Sequence, residues 1–162
     1  MKFFEDIPIG ERTEIGRHTF TADEIKAFAA RFDPQPFHLD EAAGARSLFG
    51  GLCASGWHIS CVWMRLVIAH RQREDAERRA RGEAVAALGP SPGFRDMQIA
   101  NPVHPGDTIA YATEVLDKRR SASRPRWGLV TMRNSGVNQD GKPVLSFVST
   151  AFVERRPEQE TA

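Results

Sequence analysis

The stretch from Gly56 to Ala69 limits the fold more than any other part of this chain. It carries Trp57, Ile59, Cys61, Val62, Trp63, Met64, Leu66, Val67 and Ile68. Ser55 can cap its start, and neither proline nor glycine interrupts it up to Arg81. A helix that is apolar on nearly all sides has to be buried. Ser60 and Arg65 interrupt the run, and it is too short to cross a bilayer. Its continuation, His70 to Arg81, is rich in alternating charges and reads as a solvated face. The remaining chain must therefore supply a cover for the apolar half.

That cover is legible on both sides of the helix. Residues 12–20 mix Thr, Ile and Phe with polar positions and read as a strand. Thr21 and Glu24 form a capping box, and Ile25, Phe28, Ala29 and Phe32 follow at helical spacing. Pro34 and Pro36 end that helix near Asp33. Asp40 can cap a further short helix through about Arg46, and Gly50-Gly51 breaks the chain. Beyond a loop from Gly82 to Gly93, four segments are rich in Val, Thr, Ile and Phe: 94–103, 108–118, 126–137 and 142–154. Asp140-Gly141 marks a hairpin turn, because glycine supplies the positive φ that the turn needs. Four consecutive antiparallel strands in a meander are expected. Such a sheet can bury one helix only by curling around it. The expectation is an α+β class, a single hot-dog domain over 1–156, with a polar tail from 157 to 162. A length of 162 residues suits one domain with its own core.

The chemistry centres on Phe32-Asp33-Pro34-Gln35-Pro36-Phe37-His38-Leu39-Asp40. Two prolines stiffen a loop that holds a carboxylate and an imidazole five residues apart. That pair of groups can activate a water. The same residues also suit a helix cap and a turn. The second segment, Phe49 to Trp57, delivers Gly56 to the start of the buried helix. Backbone N–H groups there lack intrahelical partners and lie at the positive end of the dipole. They could stabilise an oxyanion, or Gly56 could serve close helix packing alone.

Taken together, these segments resemble the MaoC-like dehydratase family, which includes the (R)-specific enoyl-CoA hydratases. That family's pattern is Asp-x-Asn-Pro-hydrophobic-His, followed some twenty residues later by a His-Gly step opening the central helix. Asp33, Pro36, Phe37, His38 and Gly56 stand in those places. Phe3-Phe4-Glu5-Asp6 with Ile9-Gly10, Pro102 to Thr108, and Asn138 to Gly141 are similar as well. The resemblance implies Asp33, His38 and Gly56 as catalytic residues. It implies water addition to an enoyl-CoA, or another enoyl-thioester, giving a 3-hydroxyacyl product. It implies no cofactor, a place in fatty acid metabolism, and a homodimer or dimer-based assembly. Three positions depart from the family: Gln35 replaces Asn, Ser55 replaces His, and Met64 replaces a Ser on the central helix. Gln35, Ser55, Trp57 and Met64 are the expected substrate-binding residues. Bulky Trp57, Trp63 and Met64 suggest short or functionalised acyl groups. A hot-dog thioesterase and a non-catalytic acyl-thioester binding module are the alternatives. No Asp or Glu occurs between Gly56 and Ala69, where such thioesterases usually keep a carboxylate.

Other signals exclude more than they assign. Lys and Arg number 22 against 21 Asp and Glu, so no global field for nucleic acid exists. His38, Asp40 and His58 match no common metal-ligand spacing. His58 reads as a core or pocket residue, and Cys53 and Cys61 as small buried hydrophobes. The N-terminus turns acidic before any long apolar stretch, so a secretory leader is not expected and the cytoplasm is. Lys118, Arg119, Arg120, Arg124 and Arg126 form a basic run that is either a surface turn or a landing site for coenzyme A phosphates.

Overall fold

Local signals set the first helices. In the computed structural model, which describes residues 1–157, a short 3-10 turn at Phe4–Asp6 and strand β1 (Arg12–Thr19) precede α1 (Ala22–Phe32). Thr21 accepts a hydrogen bond from the Glu24 N–H, as the capping box requires. α2 (Pro36–Leu39) is a one-turn helix where only a stiff loop was expected. Pro36 stands at its first position, where a missing N–H costs nothing. Asp40 then caps α3 (Glu41–Ala45) through the Ala43 N–H at 2.7 Å. The expected polar tail lies outside the described residues beyond Pro157.

The long helix is α4 (Gly56–Ala80), followed by β2 (Gly93–Ile99), β3 (Thr108–Arg120), β4 (Trp127–Val137) and β5 (Pro143–Glu154). The five strands form one sheet in the order β1-β3-β4-β5-β2, antiparallel at every pairing. This corrects the expected meander of four consecutive strands. β3, β4 and β5 do follow one another, but β2 lies beside β5, and β1 takes the free edge of β3. The strand expected over 94–103 stops at Ile99. Pro102 has no N–H to give a ladder, and residues 100–107 cross from the β2 edge to β3, one strand in from the other edge. Register shifts in β1, β2, β3 and β4 bend the sheet at several points.

The curved sheet wraps α4 in the hot-dog arrangement, and the fold is α+β. β5 alternates along its length, turning Leu145, Phe147, Ser149, Ala151 and Val153 inward. α4 answers with Ile59, Val62, Trp63 and Val67 on one face. The buried Tyr111 hydroxyl donates to the Ile59 carbonyl at 3.2 Å and ties β3 to the helix. The opposite face of α4 is open, which corrects the reading of a helix buried all round. Trp57 is 60%, Met64 52% and Ile68 40% exposed, and Cys61 is exposed beside them. Five strands enclose one side of a helix only, so the apolar remainder of α4 faces outward.

Ile59 has no exposed surface and sits where helix and sheet meet. Ile59→Ala is expected to cost about 2–5 kcal/mol, by lost burial plus the cavity left behind. Urea unfolding of the variant against the parent measures it. A cost under ~1 kcal/mol would show that α4 does not anchor this core.

Candidate active site

Three chain segments meet at the N-terminus of α4. The first is the end of α1. Pro34 stops the helix, and Asp33 becomes its C-cap, with its N–H on the Ala29 carbonyl at 2.9 Å. The second is α2, which carries His38. The third is residues 52–55, which lead into α4. The Cys53 N–H bonds the Phe37 carbonyl at 3.3 Å, and the Ala54 N–H bonds the Val103 carbonyl at 2.8 Å. Gly44 permits the approach of α3, since a Cβ there would lie 2.5 Å from the backbone of Gly51 and Leu52.

Asp33 and His38 come together as expected, with Asp33 Oδ2 3.5 Å from His38 Nε2. His38 is buried, and its Nδ1 lies 2.7 Å from the Cys53 carbonyl. A carbonyl only accepts, so Nδ1 carries the proton. In the neutral ring Nε2 therefore presents its lone pair towards Asp33. Each oxygen of Asp33 receives a hydrogen bond. Gln35 Nε2 donates to Oδ1 at 2.9 Å, and Ser55 Oγ donates to Oδ2 at 2.7 Å. Burial alone would raise the Asp33 carboxyl, but the bonds from Ser55 and Gln35, and the charge of the His38 ring when it is protonated, hold it below the ordinary carboxylate value.

Ser55 also caps α4, its Oγ accepting from the Trp57 N–H at 3.2 Å. Gly56 follows as the first helical residue. A Cβ on Gly56 would lie 3.0 Å from Ile99 Cγ1, so glycine lets the helix end press against β2. Asp33, His38, Ser55, Gly56 and Trp57 border one cleft of about 710 Å³. Gln35 and Ser55 both bind the carboxylate of Asp33, and both border the cleft with it. Trp63 is buried in the core against Phe147. Met64 faces out from α4 and does not border the cleft of the single chain.

The far wall of the cleft comes from β2 and its continuation, with Met97, Ile99 and Asn101. Sequence reasoning missed these residues. It also missed His104, whose Nδ1 lies 2.8 Å from the Leu52 carbonyl. Two imidazoles thus hold the consecutive carbonyls of Leu52 and Cys53 and fix the entry to α4. Both contributions depend on where β2 and residues 100–107 cross, and no local pattern encodes that. The His104-Pro105-Gly106-Asp107 motif was the one available signal for the second imidazole.

The other expectations resolve differently. His58 is buried, stacked on Phe28 with ring centroids 4.6 Å apart, and burial pushes its pKa down, so it is a neutral core imidazole. Burial pushes the Cys53 thiol up to about 11, which leaves it protonated at neutral pH. Cys61 is exposed rather than buried. The basic run stands at the end of β3 and in the turn that follows it, and none of its residues borders the cleft. Lys118 there donates to the carbonyls of Phe4 and Glu5, and Arg126 pairs with Glu154. That geometry corresponds to a surface turn. Among the described residues, no group of His, Cys, Asp or Glu side chains is arranged to hold a metal ion, and no helix is long and apolar enough to cross a membrane.

A carboxyl held low in the fold stabilises it above the ordinary Asp pKa of about 3.9. That contribution is lost as pH falls through the folded value. Ser55→Ala removes one donor to Asp33 and the cap of α4. The Asp33 midpoint is expected to rise towards the ordinary value, read from the carbon-13 shift of its carboxyl carbon. The capping loss should cost about 1 kcal/mol of stability. An unchanged midpoint would show that Ser55 does not control this carboxylate.

This arrangement has relatives. The solved MaoC-like dehydratase of Rhodospirillum rubrum superposes with a TM-score of 0.81 at 38% identity, covering 97% of this chain and 99% of that one. The uncharacterized protein YdeM of Bacillus subtilis is 27% identical over 151 residues, 93% of this chain and 98% of its own. Mesaconyl-CoA hydratase of Haloarcula marismortui is 32% identical over 121 residues. That match takes in 75% of this chain but only 29% of the enzyme, so the chain spans under a third of it. The profile described as MaoC like domain matches residues 6–135, a span that holds Asp33, His38 and the N-terminus of α4. A hot-dog sheet around one helix, with a carboxylate and an imidazole meeting at that helix's start, is thus the form this sequence gives to a family fold, and the chain belongs to the MaoC-like domain family.

Proposed function

We propose that this chain is a hydro-lyase that adds water reversibly to an enoyl-CoA, or a related enoyl-thioester, to give a 3-hydroxyacyl-thioester. One observation carries the reading: Asp33 Oδ2 and His38 Nε2, 3.5 Å apart, face one cleft at the N-terminus of α4. Both are acceptors when His38 is neutral. Two acceptors at that separation can share a single water through its two hydrogens. The water oxygen then turns its lone pairs to the cleft. Attack at the β-carbon would pass a water proton to His38 or Asp33, and the α-carbon would take a proton back. The electron pair released towards the thioester oxygen would meet the Gly56 N–H at the positive end of α4. The relatives include a mesaconyl-CoA hydratase, which supports water addition to a CoA thioester. In this reading Gln35 and Ser55 act on Asp33, and Trp57 is left as the bulky group that limits the acyl chain. Short or functionalised acyl groups follow as the preferred substrates over long straight chains.

Thioester hydrolysis is the second reading, favoured by one contact. Asp33 lies 2.7 Å from Ser55 at the cap of the central helix, so a water on it could also reach the carbonyl carbon. Crotonyl-CoA and longer enoyl-CoAs, followed by alkene absorbance and by free thiol together, separate the two. Asp33→Asn and His38→Ala are each expected to lower hydration by about 10²–10⁴-fold while the protein stays folded. Thiol release without loss of the alkene would overturn the hydratase in favour of the esterase. Full hydration in either variant would remove the proposed mechanism.

We also propose a homodimer. Trp57, Cys61, Met64 and Ile68 recur at helical spacing along the open face of α4, and the outer edge of β2 is unpaired in the single chain. Phe94 and Ile99 on that strand are 58% and 42% exposed. Light scattering at micromolar concentration should give twice the mass of the chain or a multiple of that. Ile68→Glu, which places a charge in the stripe, should lower the assembly to monomer. A parent protein that is already a monomer would contradict the proposal.

A further inference from the structure

A second cleft opens at the other end of α4, between its C-terminal half and the sheet. It holds about 320 Å³, and its lining shares no residue with the cleft of Asp33 and His38. Arg71 stands there, fifteen residues after Gly56, which is roughly 22 Å along the helix axis. We propose that this cleft binds a monocarboxylate with an aliphatic tail, its carboxylate held by Arg71 and its tail on the sheet. The inference stands apart from the hydratase reading.

The floor is apolar. Ile15, Val67, Val130 and Val153 line it, and all four are buried. Into this setting α4 brings Arg71, a half-buried residue that lines the cleft. The other charges of the cleft have partners or water. Lys2 pairs with Glu11, the N-terminal ammonium with Asp75, and Glu74 with Arg78 at 3.4 Å. Arg73 and Glu77 are exposed at the rim. Arg71 has no hydrogen bond or ion pair among the described residues. Glu74 is the acid whose field reaches it, and burial lowers the Arg71 pKa in spite of that field. The guanidinium is nonetheless always charged and offers five donors in a planar fork. A carboxylate fits that fork through two parallel hydrogen bonds. The valine floor then selects an aliphatic body over a phosphate or a second charge. Cleft size agrees, since pockets of about 300 Å³ and above take small ligands.

The test uses the full chain and straight-chain alkanoates. Isothermal titration should show octanoate binding, with affinity rising about fourfold per methylene from butyrate to octanoate as the tail covers the floor. Amide and methyl shifts should move at Val67 and Val130, not at Asp33 to Gly56. Arg71→Gln should weaken octanoate at least tenfold and leave 1-octanol unchanged. Arg71→Lys keeps the charge without the fork and should fall between the two. Equal octanoate affinity in Arg71→Gln would overturn the assignment. So would shifts centred on the Asp33 cleft, or no binding at millimolar octanoate, which would make Arg71 a solvated helix residue.

Discussion

The hydroxyl of Ser55 is the joint on which the site depends. It has one proton, and that proton goes to Asp33 Oδ2 at 2.7 Å. Its lone pair accepts from the Trp57 N–H at 3.2 Å. The start of α4 and the end of α1 are therefore held by one atom. The family has a histidine in this position, and its asparagine is Gln35 here. Both departures converge on the same carboxylate, because Gln35 donates to the other oxygen of Asp33 at 2.9 Å. A serine is also a strong helix cap. In this chain the two departing residues are the ones that supply the hydrogen bonds to both oxygens of Asp33.

His38 is fixed from behind in the same way. Its Nδ1 proton is committed to the Cys53 carbonyl, so the tautomer is set by the backbone rather than by the substrate. The carbonyl is itself immobilised, since the Cys53 and Ala54 N–H groups bond residues 37 and 103. His104 secures the adjacent carbonyl of Leu52. In the proposed hydration, an imidazole held this firmly would need little reorganisation to take a proton, which is the electrostatic advantage of a prearranged site. The cost is carried by the fold, through the crossing of residues 100–107 that brings His104 to this place.

What the sequence made legible was local. The Thr21–Glu24 capping box, the Asp40 cap and the Asp140-Gly141 turn each depend on neighbours a few residues away, and each stands where it was read. Asp33 and His38 were visible for the same reason, because two prolines fix their separation. The partner of β2 was not legible, since pairing with β5 or with β3 leaves the same pattern within β2. The cleft wall of Met97, Ile99 and Asn101 was hidden with it. The faces of α4 were hidden differently. A helix apolar all round has no periodicity to say which side meets the sheet. Trp63 turned out to be core, while Trp57 and Met64 lie outward.

The open face of α4 follows from that same uniform apolarity. A lone hot-dog needs only one apolar face on its helix, and Ile59, Val62, Trp63 and Val67 supply it. The further apolar residues, Trp57, Cys61, Met64 and Ile68, contribute nothing to the core of the single chain. Burying such side chains is worth about 1.5–3 kcal/mol each for the larger aliphatic ones, so leaving them in water forgoes several kcal/mol. They continue directly into Ile99 of β2, which touches the helix at Gly56. One cover would therefore bury the stripe and the outer edge of β2 together, and it would also roof the side of the cleft that Trp57 borders. Excluding water there strengthens every charge interaction around Asp33 and His38. In the proposed dimer, assembly and chemistry share this surface. Met64, outside the cleft of one chain yet on the face to be covered, would be buried by that second copy along with the rest of the stripe.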